Sequence, residues 1–138
     1  MTKSYVACLK TGFPDILTMI IQNLADQKPF TTADSSTIRS ILDRSNAPVQ
    51  NQSLAEATLP AGAETIRHYH KLSEEFYFFL SGSALMEIDG KKREVGKDDC
   101  VLIPAGAWHQ VRAHEETRFL CCCSPPYEHS DTYFEEDV

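Results

Sequence analysis

The sequence contains no apolar run near the roughly 18 residues that a membrane span needs. It has no low-complexity tract and no internal repeat. Its first residues, MTKSYVACLKTGF, lack the basic-then-apolar order and small-residue cleavage site of a secretory signal. Basic residues are sparse, 13 Lys and Arg against 20 Asp and Glu, and the longest basic cluster is Lys91-Lys92-Arg93. A net charge of −7 repels a nucleic-acid duplex or an anionic membrane, so neither is expected as a partner. No CxxC pair is present to hold a structural zinc. The five cysteines are odd in number, and three are adjacent at Cys121, Cys122 and Cys123, too close to bridge one another readily. These absences predict a reduced, cytoplasmic protein whose cysteines are buried as small apolar side chains.

What is present suits one compact domain. The chain has 138 residues, 42% hydrophobic and 24% charged, enough for a single core. Near the N-terminus Ile16, Leu17, Ile20, Ile21 and Leu24 recur at helical spacing between Pro14 and Pro29, which predicts a helix over about 15–27. The polar stretch 31–50 carries a short helical turn in SSTIRSILD and a loop in RSNAPVQNQ.

From Ser53 the texture changes to short strands broken by turn signals: SLAEATL then PAG, ETIRHYH then KLS, EEFYFFL then SGS, ALMEI then DGK, KREV then GKDD, CVLIP then AGA, and finally WHQVRA and RFLCCCS. Asp89-Gly90 is the strongest hairpin signal. Seven or eight such strands imply an antiparallel sandwich or barrel. In FYFFL both strand faces are apolar, so the outer one needs a cover, either the N-terminal helix or a second subunit. A homodimer is the favoured expectation.

The chemistry concentrates at two histidines. Side chains alternate along a strand, so His68 and His70 share a face roughly 6.5 Å apart along the chain, while Arg67 and Tyr69 point the other way. The four residues KLSE allow a tight reversal that returns Glu75 beside the pair. In IPAGAWHQV, Pro104 and Gly106 make a turn that delivers His109. Taken singly, each of these residues is more often an ordinary strand, turn or loop residue. Together, three imidazoles and a carboxylate suit one divalent transition metal such as Fe, Mn, Ni, Zn or Cu.

These residues fall into two framed patterns. Residues 62–82 read G-x5-H-x-H-x4-E-x6-G at Gly62, His68, His70, Glu75 and Gly82. Residues 98–113 read D-x5-P-x-G-x2-H-x3-A at Asp98, Pro104, Gly106, His109 and Ala113. The patterns resemble the first and second motifs of the cupin superfamily, in particular small single-domain cupins, over residues 53–127. The second motif has glycine where Asp98 stands and asparagine where Ala113 stands. Neither position is a ligand in the motif, and Gly96 is expected to serve the turn. The segment CSPPYEHSDT also resembles the tail of small single-domain cupins.

The resemblance implies an all-β fold, a double-stranded β-helix or jelly-roll barrel at 51–127. A helical or extended arm at 1–50 is expected to pack on it, and an acidic tail to follow at 128–138, with its end FEEDV frayed. It implies a metal inside the barrel on His68, His70, Glu75 and His109. Glu75 is preferred over Glu74 because only it leaves six residues before Gly82. By strand parity Tyr77, Phe79, Met86 and Ile88 face inward, giving a mostly apolar lining, with Tyr77 the candidate catalytic donor. The more common role for such a tyrosine is core packing. Trp108 is expected at the barrel mouth, Arg67 and Arg118 on outward or unassigned faces, and His114 and His129 in loops. The function expected is a metal-dependent enzyme on a small carbonyl or carboxylate compound, of dioxygenase, isomerase, epimerase or lyase type. The alternative is a non-catalytic barrel that binds a sugar or organic acid. An apolar lining favours dioxygenation of an apolar substrate, and inward charges favour an acid or a sugar phosphate.

Overall fold

The computed structural model describes residues 19–32 and 36–135. Its eleven strands are β1 (Phe30–Thr31), β2 (Thr37–Leu42), β3 (Ser53–Leu59), β4 (His68–His70), β5 (Glu74–Ser81), β6 (Ser83–Ile88), β7 (Lys91–Gly96), β8 (Cys100–Ile103), β9 (His109–Ala113), β10 (Thr117–Ser124) and β11 (Thr132–Phe134). They form two antiparallel sheets, one of six strands in the order β1-β2-β3-β10-β5-β8 and one of five in the order β11-β4-β9-β6-β7. The expected all-β barrel of two facing sheets is therefore the observed fold.

Period-two alternation drives the two sheets together. On β5 Glu75, Tyr77 and Phe79 are buried while Glu74, Phe76 and Phe78 are exposed. Leu59 on β3, Phe119 on β10, Met86 on β6 and Val111 on β9 meet Tyr77 and Phe79 between the sheets. Burying each large apolar side chain contributes about 1.5–3 kcal/mol. The Asp89-Gly90 hairpin forms as its sequence predicts: both residues have positive φ, 47° and 83°, and Ile88 pairs with Lys91 across a two-residue turn.

Several expectations are corrected. Of the helix expected over about 15–27, residues 15–18 lie outside the described residues. The rest holds no α-helix, only a 3-10 turn at Leu24–Asp26 capped by the Asn23 side chain. Met19 and Ile21 are 81% and 78% exposed, so the helical spacing there has no core to bury its apolar face against. The helical turn expected in SSTIRSILD is strand β2, whose β-branched Thr37, Ile38 and Ile41 suit a sheet, and β2 pairs with β3 along its length. Of the acidic end FEEDV, expected to be frayed, Phe134 closes β11 and pairs with β4, and residues 136–138 lie outside the described residues. Gly96 does open the second-motif turn: the Asp99 N–H donates to its carbonyl at 3.0 Å, and its own N–H donates to Asp99 Oδ2 at 2.8 Å. Asp98 itself takes the left-handed conformation, with φ 71°, and its N–H donates to the Phe79 carbonyl at 2.8 Å. Of the cysteines expected to be buried, Cys123 is, Cys121 and Cys122 are half-buried, and Cys100 is exposed.

Candidate metal centre

Four side chains meet between the sheets. β4 is short and carries His68 and His70 on its inner face, as their two-residue spacing requires. His68 pairs with His109 across β4 and β9. The chain reverses at Lys71–Ser73 and enters β5, where Glu75 points inward and Glu74 is exposed. The Pro104–Ala107 turn closes through the Ala107 N–H on the Pro104 carbonyl at 3.1 Å. The Gly106 N–H donates to the His70 carbonyl at 2.7 Å, which ties the turn delivering His109 to the strand carrying the other two rings. One ligand atom from each of His68, His70, Glu75 and His109 lies within 4.8 Å of the others. The ring centroids are 5.2 Å apart for His68 and His70, 4.2 Å for His68 and His109, and 5.6 Å for His70 and His109.

Each imidazole is held from behind. His68 Nδ1 lies 2.7 Å from the Ile66 carbonyl and His109 Nδ1 lies 3.0 Å from the Ala107 carbonyl. His70 Nδ1 is 3.2 Å from Thr132 Oγ1. Those contacts leave the Nε2 atoms as the ones turned toward Glu75: Oε1 lies 3.4 Å from Nε2 of both His70 and His109. The other oxygen, Oε2, accepts a hydrogen bond from the Cys123 thiol at 2.9 Å. Among the described residues, the fully buried side-chain atoms without a hydrogen-bond partner are Glu75 Oε1 and His109 Nε2. A buried carboxylate oxygen and a buried imidazole nitrogen left unpaired cost free energy unless a cation satisfies both. Three nitrogens and one oxygen form a donor set that fits a divalent first-row metal.

Protonation matches that role. Burial, and the charge that neighbouring His109 and His70 would carry, bring the His68 imidazole down to about 4 against the opposing pull of the Ile66 carbonyl and Glu75. At neutral pH its lone pair is free to bind a metal. Burial alone would raise the Glu75 carboxyl, but the imidazoles of His109 and His70 beside it outweigh that and hold it well below the usual carboxylate range. Burial, and then the Glu75 charge, raise the thiols of Cys121 and Cys123 and the Tyr77 hydroxyl, so all three keep their protons.

A cavity of about 400 Å³, lined by His68, His70 and Glu75 of the four, is walled by β1–β3, β4, β5, β10 and the segment 127–134. Tyr77 lines it, with its ring 5.8 Å from that of His109 and 4.8 Å from that of Phe119. Trp108 is not at the mouth. It turns outward to pack edge-on against Tyr69 at 4.7 Å, with the Arg67 guanidinium 5.2 Å above it. Arg67 is committed to Glu87 and Glu135, and Arg118 to the buried Glu56. His114 pairs with Glu94 at the surface. His129 is exposed as a loop residue would be, yet it also lines the cavity and packs near Phe134.

Three supporting residues escaped the sequence. Asp131 accepts the Leu72 and Ser73 N–H groups at 3.0 and 3.1 Å and so clamps the reversal between His70 and Glu75. Thr132 lies against His70 Nδ1, and the Cys123 thiol donates to Glu75. The thiol's only signal was that Cys121 and Cys123 alternate with Cys122 on a strand. Asp131 and Thr132 carried no signal, lying about 60 residues from the groups they hold.

The family model described as "Cupin domain" matches residues 55–123. An uncharacterised protein of Methanocaldococcus jannaschii is 42% identical over 107 residues, covering 76% of this chain and 86% of that protein. Among solved structures, the Streptomyces nucleoside dehydratase Pac13 superposes with a TM-score of 0.73 at 10% identity, over 85% of this chain and 91% of that one. The polyketide cyclase RemF of Streptomyces resistomycificus superposes with a TM-score of 0.68 at 22% identity, over 83% and 89%. At these identities the two structures speak for the fold.

Proposed function

This chain belongs to the cupin family, and from that premise we propose that it is a metal-dependent enzyme acting on a small carbonyl or carboxylate compound. His68, His70, Glu75 and His109 would hold one divalent transition metal. The observation that carries the reading is the pair of buried, unpartnered atoms, Glu75 Oε1 and His109 Nε2, facing each other at 3.4 Å beside two further imidazoles. A divalent ion held there would supply Lewis acidity, or one-electron chemistry if it were iron or manganese.

The chain's own residues set the rest. The carbonyls of Ile66 and Ala107 and the Thr132 hydroxyl fix the three rings, so the ligand set is pre-organised. Apolar side chains such as Ile38, Phe119 and Phe134 line the cavity beside His68, His70 and Glu75. Tyr77, whose hydroxyl keeps its proton, is the candidate donor toward a bound oxygen atom. That the structural neighbours include a dehydratase and a cyclase supports an enzyme over a passive binder.

Elemental analysis of the purified protein beside a His68→Ala, His70→Ala variant tests this. Near one metal per chain in the parent and less than a tenth of that in the variant is the expected result. Equal, negligible metal in both after supplementation would end the metal reading. Turnover of a carbonyl compound that survives in the metal-free variant would end the claim that the reaction depends on the metal.

We also propose that the protein is a homodimer. Phe76, Phe78 and Leu102 are 44%, 36% and 53% exposed on the outer face of β5 and β8, and Phe76 pairs directly with Leu102. β8 is the edge of its sheet, so the apolar face and an unpaired edge coincide.

A further inference from the structure

The cavity's charge is as informative as its ligand set. Its large apolar walls are Phe30, Ile38, Ile66, Phe119 and Phe134. No lysine or arginine is among the described residues that line it. Three of the arginines that flank its strands are spent elsewhere: Arg39 and Arg118 on Glu56, and Arg67 on Glu87 and Glu135. The fixed charges of the wall are acidic, Glu75 at the ligand cluster and Asp43 after β2. Asp43 is held below the ordinary carboxylate range because hydrogen bonds from Ser45 and Ser40 and from the Ser45 and Asn46 backbone outweigh its partial burial.

We infer that the cavity takes a largely apolar compound carrying a single negative charge on an oxygen group that would reach the metal. A dicarboxylate or a sugar phosphate is disfavoured. The inference rests on the metal reading proposed above and narrows its substrate class.

Charge balance supplies the reason. A divalent ion with the Glu75 carboxylate leaves one net positive charge, which one anionic oxygen group cancels. A dianion leaves an uncompensated negative charge in a cavity that offers no guanidinium or ammonium and already contains Asp43, and an unpaired charge in such surroundings is costly. Size points the same way. About 400 Å³ lies within the range of cavities that enclose ring-sized ligands, and a two- or three-carbon diacid would leave the Phe30, Ile38 and Phe134 walls without contact.

The test contrasts two chelators that present the same spacing of oxygen atoms. 1-Phenylbutane-1,3-dione binds a metal as an apolar enolate monoanion and releases its proton to buffer. Malonate binds as a compact dianion. Cobalt content of the cobalt(II)-loaded protein is measured first, each chelator is titrated against the visible cobalt bands, and cobalt is measured again afterwards. The dione is expected to bind at least about tenfold more tightly than malonate. In Asp43→Asn, which keeps the side-chain acceptor but removes its charge, malonate should gain about threefold or more and the dione less. Malonate binding as tightly as the dione, or neither binding below about 1 mM, with cobalt retained, overturns this inference and leaves the metal reading intact. A protein that takes up no cobalt overturns the metal reading and the inference together.

Discussion

Gly82 closes the first motif at the end of β5, and replacing it by alanine should be far more costly than the same change at Gly62, which opens that motif. Gly82 has φ +88°, a conformation that costs an L-residue about 1–2 kcal/mol. A Cβ built there would lie 2.4 Å from the Glu116 carbonyl oxygen, 2.5 Å from Thr117 Oγ1 and 2.7 Å from Thr117 Cα. Two of the three are backbone atoms at the entry to β10, so relief requires the strand itself to shift. Overpacking of that kind costs about 1–3 kcal/mol more. The total is about 2–5 kcal/mol. Gly62 has a similar φ of +79° but nothing within 4 Å of its would-be Cβ, so only the conformational cost of about 1–2 kcal/mol applies. For a domain of this length 1 kcal/mol moves Tm by about 3–4 °C. Thermal unfolding followed by circular dichroism should therefore show losses of about 6–20 °C for Gly82→Ala and about 3–8 °C for Gly62→Ala. Equal losses in the two variants would refute the close-approach argument and reduce the motif's final glycine to a backbone requirement.

Thr132→Val should weaken metal binding by about 10- to 100-fold, with Thr132→Ser restoring it, as measured by competition with a chromophoric chelator. A threefold change or less would mean that the hydroxyl does not orient His70. Cys123→Ala removes the donor to Glu75 Oε2 and should lower metal affinity, whereas Cys123→Ser should keep it within a few-fold; the same titration reads both. Glu56→Gln weakens the paired contacts with Arg39 and Arg118 and should cost about 1–3 kcal/mol at neutral pH, because the carboxylate is buried while the arginines are partly solvated. Burial alone would raise the Glu56 carboxyl, but Arg118 and Arg39 hold it below its ordinary 4.5. Its stabilisation is therefore present above about pH 4.5 and lost as pH falls further, and the gap between parent and variant in thermal unfolding should narrow toward acid. Changing Phe76 and Leu102 together to serine should convert a dimer to a monomer in sedimentation velocity without lowering Tm by more than a few degrees.

The features legible in the sequence are those whose physics is local. Two histidines one residue apart share a strand face whatever lies around them, and the same alternation buries Glu75 while leaving Glu74 in solvent. Asp89-Gly90 makes its turn from its own backbone preferences. Only the structure shows why the second motif tolerates Asp98: the position takes positive φ, which aspartate can adopt at modest cost. Local pattern misled at the N-terminus, where helical spacing is a preference that only a packed face can redeem and Ile21 has none. Tertiary structure alone decided the rest. Whether Thr132 meets His70, Asp131 clamps the reversal before Glu75, and β1 and β2 wall the cavity depends on contacts between segments far apart in the chain. Those positions were set by strand pairing between β11 and β4 and between β2 and β3, because the hydrogen-bond ladder that brings distant residues together reads backbone, not side chains.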